Sequence, residues 1–277
     1  EPSLAARHHP SPVEAMVNGA AMSAPESPLR DWGWSFTSPE FDIAATAFTP
    51  AIAQCNPEQY LVVYERAYEI YGQRVTSTGD MIGEAFQITD DPIYPNSNYA
   101  PDVACDPEKD VYIVVWVNKM SITNADIFFR AVHGTHQESG DQFFSDIDYF
   151  GTDTIVEELP SIACNSNEHT CLVVYESSLT GTVDIYASRI QIGISSIEKL
   201  APFQIADHPN GDWRPDVVWA GNIDEFLVVW GFYSDGGQYR LAYRTVWDTE
   251  QTGSQLKEGV TDLLGYGEYP ETHRYPS

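Results

Sequence analysis

Four stretches of the chain repeat one arrangement of apolar and polar positions. Each opens on a proline followed by alternating small apolar residues. It then crosses a short segment rich in Asn and Asp and enters a nearly unbroken apolar run. Pro50-Ala51-Ile52-Ala53 leads to Tyr60-Leu61-Val62-Val63-Tyr64, and Pro101-Asp102-Val103-Ala104 leads to Tyr112-Ile113-Val114-Val115-Trp116. Pro160-Ser161-Ile162-Ala163 leads to Cys171-Leu172-Val173-Val174-Tyr175, and Pro215-Asp216-Val217-Val218 leads to Phe226-Leu227-Val228-Val229-Trp230. The prolines stand 51, 59 and 55 residues apart. A fixed period in this range marks a repeat architecture.

Within one unit the pattern predicts four strands. Proline is expected at the first residue of the first strand, where its missing N–H is tolerated. The apolar run is a second strand covered on both faces. Ile70-Tyr71-Gly72-Gln73-Arg74-Val75 alternates as a third, echoed at Ile185–Ile190 and Leu241–Val246. Phe86-Gln87-Ile88 and Phe203-Gln204-Ile205 supply a fourth, and Phe41-Asp42-Ile43-Ala44 matches them, so the chain is expected to enter at the end of a unit. Four antiparallel strands per unit make a propeller blade. The predicted fold is all-β: a small β-propeller over residues 31–277, with four recognisable four-stranded blades starting near 50, 101, 160 and 215. A partial unit opens at Pro270, as a shared or incomplete fifth blade. Residues 1–30, rich in Pro, Ala and Ser, are predicted to be an extended N-terminal arm. Within it Ser11-Pro12-Val13-Glu14 has the form of a helix-capping box.

The proline, the Val-Ala alternation, the Tyr-Leu-Val-Val-Trp run and Ile-Tyr-Gly-Gln-Arg-Val together resemble the blade repeat of large secreted bacterial β-propeller proteins. Residues 48–270 carry the resemblance, Pro101–Trp116 and Ile70–Val75 most clearly. It implies the architecture and an extracellular or cell-surface location, and it implies no particular activity.

Composition narrows the partners. Fourteen Lys and Arg stand against 41 Asp and Glu, a formal charge of −27. No surface of this sign replaces the counterions of nucleic acid, and none is drawn to an anionic membrane. No apolar run approaches the 18 residues or so of a membrane-spanning helix. The first residue is Glu1, consistent with a processed, exported chain.

Candidate chemistry is sparse. Cys164 and Cys171 flank one first-to-second-strand step and could form a disulfide across it or stand as two buried thiols, while Cys55 and Cys105 sit at similar places in adjacent units and could join two blades. Loop acids offer hard oxygen ligands for structural calcium, with Asp106, Asp110, Asp207 and Asp212 as the candidate ligands, although no calcium-loop motif is present. No other cofactor is expected. Arg74, Arg189 and Arg244 recur once per third strand and are expected to tie blades together; residue 131 is Ala where they have Arg. Trp213 and Tyr99, placed in loops ahead of the first strands, are candidates to stack on a glycan. His133 and His136 bracket an outer turn.

No Gly-x-Ser-x-Gly, His-Glu-x-x-His, phosphate loop or dinucleotide fingerprint occurs. The expectation is therefore a non-catalytic exported subunit of an extracellular assembly. Its N-terminal arm would dock on a neighbouring protein subunit, and an open sheet edge would invite strand addition. A lectin-like glycan-binding propeller is the alternative, and a glycoside hydrolase ranks last.

Overall fold

A computed structural model describes residues 42–89, 97–135, 142–151, 155–234 and 237–247, and the backbone of 261–262. The arm at 1–30, Phe41, His136 and the unit at Pro270 lie outside the described residues. The described chain forms four antiparallel sheets, one per repeat, as predicted. Blade 1 is β1 (Phe48–Asn56), β2 (Gln59–Arg66), β3 (Glu69–Thr76) and β4 (Met81–Gln87); blade 2 is β5 (Asn98–Asp106), β6 (Val111–Ser121), β7 (Asn124–His133) and β8 (Asp148–Tyr149). Blade 3 is β9 (Glu157–Asn165), β10 (Thr170–Ser177) and β11 (Asp184–Ile192), with its outer edge split into β12 (Ile197–Lys199) and β13 (Phe203–Ala206), both paired with β11. Blade 4 is β14 (Asp212–Ala220), β15 (Glu225–Tyr233), β16 (Tyr239–Trp247) and β17 (Thr261–Asp262). The innermost strands β1, β5, β9 and β14 lie side by side in chain order.

The core lies between blades, which is why second strands read as unbroken apolar runs. Val111 through Asn118 of β6 are all buried. Two positions on each innermost strand locate the neighbours. The second residue after the proline packs toward the preceding blade, and the third toward the following one. Val103 joins the cluster shared by blades 1 and 2, while Ala104 and Ile162 join the cluster of blades 2 and 3. Ala163 and Val217 join that of blades 3 and 4. The pattern stops at the two ends: Ile52 is 59% exposed on blade 1 and Val218 is 55% exposed on blade 4. Four blades closed into a ring would bury both, so the described blades leave room for one more sheet between blade 4 and blade 1. Residues 42–47 form no strand; Ile43, Ala44 and Ala47 pack against Val62, Tyr64 and Val75 of blade 1. The strand expected around Phe41–Ala44 is therefore not formed over its described part.

Both candidate cysteine pairs are bonded. Cys164–Cys171 closes the β9–β10 hairpin, and Cys55–Cys105 joins the innermost strands of blades 1 and 2. The second constrains the unfolded chain more, since it closes a separation of 50 residues against 7. On loop entropy it contributes about 4 kcal/mol against about 2.5. Cys55→Ala with Cys105→Ala is expected to lower the urea midpoint more than the Cys164/Cys171 double replacement. The reverse order would show that chain entropy does not govern these bonds.

Arg74 and Arg244 tie neighbouring blades together, in two registers, while Arg189 sits over the Phe203 ring of its own blade. Arg74 and Arg189 pair opposite Leu61 and Leu172, whereas Arg244 pairs opposite Val228, one residue earlier. A shift of one residue turns the side chain to the other face. Arg74 donates forward to Gln142 Oε1 and the His133 carbonyl of blade 2. Arg244 donates back to the Ile205 carbonyl of blade 3. Arg130, in the same register as Arg244, donates back to the Ile88 carbonyl of blade 1 at 2.8 Å. Ala131 thus marks no missing tie, because Arg130 makes it from the opposite face.

Candidate active site at the blade axis

The four repeat prolines do not begin their strands. Each lies within an innermost strand at a break in the pairing register. The breaks fall between Phe48 and Ala51, Tyr99 and Asp102, Glu158 and Ser161, and Trp213 and Asp216. Proline cannot donate to the ladder, and a bulge is one place inside a sheet that accepts it. The residue before each proline takes a left-handed backbone: Thr49 (φ 45°), Ala100 (φ 50°), Leu159 (φ 52°) and Arg214 (φ 52°). None is glycine, so each conformation costs on the order of 1 kcal/mol or more. Strain repeated at one register position of every blade has a common geometric consequence here. Those four residues and the four prolines line a single cavity of about 330 Å³ where the innermost strands converge.

Among the described residues Asp102 is the one carboxylate lining this cavity, and Arg214 the one cation. Asp102 follows its proline directly. The same position holds Ala51 in blade 1, Ser161 in blade 3 and Asp216 in blade 4. Ile162 N–H donates to Asp102 Oδ2 at 2.9 Å and Val103 N–H to Oδ1 at 2.8 Å. Ser161 Oγ donates to Asp216 Oδ1 at 3.0 Å and stands within hydrogen-bonding reach of Asp102. Three successive blades thus place Asp102, Ser161 and Asp216 in one polar line. Burial pushes the Asp102 carboxyl up to about 6, the nearby charge of Asp216 adds to this, and the two backbone N–H bonds and Ser161 oppose it. A carboxyl near 6 exchanges its proton at ordinary working pH, as a general acid or base requires.

The residues two before the prolines are Phe48, Tyr99, Glu158 and Trp213; none of them lines the cavity, and Tyr99 packs against the core between blades 2 and 3. Tyr99 and Trp213, the two stacking candidates, therefore occupy equivalent places within strands β5 and β14, not loops. Tyr99 Oη donates to Glu158 Oε1 at 2.7 Å, and Trp213 packs edge-on against Tyr233. Glu65 pairs opposite Phe48 and Glu176 opposite Glu158. Burial raises both of these carboxyls, and Arg214 N–H donates to Glu176 Oε1 at 2.8 Å.

The four acids considered for calcium are dispersed. Asp106 accepts the Glu108 and Lys109 N–H groups and bonds His169 Nδ1 at 2.8 Å. Asp110 accepts the Thr135 N–H. Asp212 accepts the His208 N–H, bonds His208 Nδ1 and accepts the indole N–H of Trp230 at 2.8 Å, while Asp207 is exposed. Among the described residues no group of three or more His, Cys, Asp or Glu is disposed to hold a metal ion. The Asp212–Trp230 bond repeats in blade 2, where Trp116 Nε1 donates to Asn98 Oδ1 at 2.9 Å. Trp230→Phe would leave a buried acceptor short of a donor and is expected to cost about 1–3 kcal/mol. Calorimetry that shows no loss would assign Asp212 to His208 alone.

No protein-family model and no curated protein matches the sequence. Solved structures do share the fold. The endo-arabinase from Bacteroides thetaiotaomicron VPI-5482 aligns with a TM-score of 0.52 at 13% identity, over 83% of this chain and 85% of that one. A GH43 endo-arabinanase from Bacillus licheniformis aligns at 0.49 and 15% identity over 84% of each chain. The α-L-arabinofuranosidase from Lactobacillus brevis aligns at 0.47 and 12% identity, over 78% and 73%. At these identities the likeness concerns the fold. It nonetheless corrects the expectation of a non-catalytic structural subunit working through protein–protein contacts, since the Bacteroides protein built on the fold is an endo-arabinase. The physical reason for the error is that groups meeting at a propeller axis come from strands some fifty residues apart. They leave no contiguous motif to find.

Proposed function

We propose that the chain is a glycan-acting enzyme, a glycoside hydrolase whose reaction takes place in the axial cavity. The observation that carries this is Asp102: among the described residues the only carboxyl lining the cavity, lifted into the working range and linked through Ser161 to Asp216. Hydrolysis of a glycosidic bond uses two carboxyl groups, one to protonate the leaving oxygen and one to activate water or to attack. Asp102 is the proton donor in this scheme. Burial keeps the proton on Asp102, and the charge of Asp216, which stands outside the cavity lining, adds to this. Arg214 at the cavity offers hydrogen bonds to a sugar. An arabinose-containing polysaccharide is the substrate to try first, after the enzymes that share the fold. Two disulfides suit a chain working outside the reducing cytosol.

Release of reducing ends from debranched arabinan and from arabinoxylan tests the reading. Turnover that Asp102→Asn abolishes supports it. Turnover that survives in Asp102→Asn would move the chemistry elsewhere on the molecule.

A further inference from the structure

We propose that residues 267–275 form the innermost strand of a fifth sheet, seated between β14 and β1, and that Glu271 on this strand supplies a second carboxyl at the axial cavity. The role given to Glu271 rests on the glycoside-hydrolase reading; the strand does not. Pro270 follows Pro215 by 55 residues, as Pro215 follows Pro160. Strands β5, β9 and β14 each run from three residues before their proline to five after it, and the same span about Pro270 is 267–275. The connection has a suitable length. Five residues, 207–211, lead from β13 on the outer edge of blade 3 to β14 at the axis. Four residues, 263–266, separate β17 on the outer edge of blade 4 from position 267.

Two features of the described blades call for such a strand. The second residue after each proline faces the preceding blade and the third faces the following one. By that rule Thr272 meets Val218 and His273 meets Ile52, the two innermost-strand positions left 55% and 59% exposed. The second feature is a bond that blade 4 lacks. Asp102 accepts the Val103 N–H of its own strand and, through Oδ2, the Ile162 N–H two residues past the next proline. Asp216 holds the same place in blade 4 and accepts the Val217 N–H of its own strand. Among the described residues no N–H of a following blade reaches it, and the repeat puts the Thr272 N–H there. The residue directly after the proline is Ala51, Asp102, Ser161 and Asp216 in the four blades, and Glu271 after Pro270. Around a ring of five, Ala51 separates Glu271 from Asp102. Ala51 and Asp102 both line the cavity, and the short Ala51 side chain leaves space for a sugar between the two carboxyls. Asp102 protonates the leaving oxygen as the glycosidic bond breaks, and Glu271 takes the proton of the water that adds to the same carbon.

An engineered disulfide reads the strand without any substrate. The native Cys55–Cys105 bond joins the fifth residue after one proline to the fourth after the next. Ala220 and Arg274 hold those two places between blade 4 and the proposed strand. Ala220→Cys with Arg274→Cys is expected to form a bond within one chain, seen by peptide mass mapping without reductant and as no gain in titratable thiol. Free thiols at both positions, or bonds only between copies, overturn the strand. Release of reducing ends from debranched arabinan and arabinoxylan then tests Glu271. Glu271→Gln is expected to lower kcat about 10²- to 10⁴-fold while thermal melting stays unchanged. Native turnover in Glu271→Gln overturns its role even where the engineered bond upholds the strand. A bond that forms in a chain turning over neither polymer keeps the strand and removes the hydrolase reading, and the role of Glu271 with it.

Discussion

Asp102→Asn lowers kcat for glycan hydrolysis by about 10²- to 10⁴-fold, the usual worth of a positioned acid or base. The substitution keeps the shape of the side chain. Its one carbonyl oxygen can still accept the Ile162 or the Val103 N–H, so the bulge at Pro101 should survive and thermal melting should change little. What is lost is the proton. In the native chain the activity should fall as pH rises through about 6, because Asp102 then ionises. Asp216→Asn gives an independent check on the assignment. Removing a nearby negative charge makes ionisation of Asp102 easier, so the falling limb should move to lower pH. A limb that stays in place when Asp216 is neutralised would mean that another group sets it. Near-native kcat in Asp102→Asn would end the assignment outright.

Blade architecture was legible in the sequence because strands transmit their period directly. The runs at Leu61–Val63, Ile113–Val115, Leu172–Val174 and Leu227–Val229 are second strands packed on both faces, and they read as such. Both disulfides were open possibilities from the placing of their cysteines, three near the ends of first strands and Cys171 near the start of a second. The site could not be read in the same way. It depends on a bulge, which inserts residues out of period and re-aims the side chains that follow. Four prolines at one register position were the available sign of it, but a proline fits the start of a strand equally well. Asp102, Ser161 and Asp216 differ in type and lie some 55 residues apart, so only the ring geometry unites them. The arginines illustrate the same limit at finer scale: Arg244 looks equivalent to Arg74, yet one residue of register sends it to the opposite neighbour.

Glu157→Gln stabilises the protein at alkaline pH, and the reason lies in a departure of blade 3 from the repeat. In blades 2 and 4 the residue three before the proline, Asn98 or Asp212, accepts an indole N–H from the second strand. Blade 3 has Glu157 at that place and Tyr175 where the tryptophan would be. The Glu157 side chain is buried, its Oε2 has no hydrogen-bond partner, and the charge of buried Asp126 acts on it. Burial first, and Asp126 second, push its carboxyl up to about 8, against the opposing bond from the Ile127 backbone. An unfolded glutamate titrates near 4.3. The folded state therefore holds a proton that the unfolded state releases. The stabilisation is complete below about pH 4 and is lost as pH rises through 8. Gln supplies N–H donors at the same volume and does not titrate. Urea unfolding at pH 5, 7 and 9 should show the native chain losing on the order of 2–4 kcal/mol that Glu157→Gln retains, since each tenfold change in proton affinity is worth about 1.4 kcal/mol. Parallel stability curves for the two proteins would mean that Glu157 is ionised in the fold, with a counter-charge beside it.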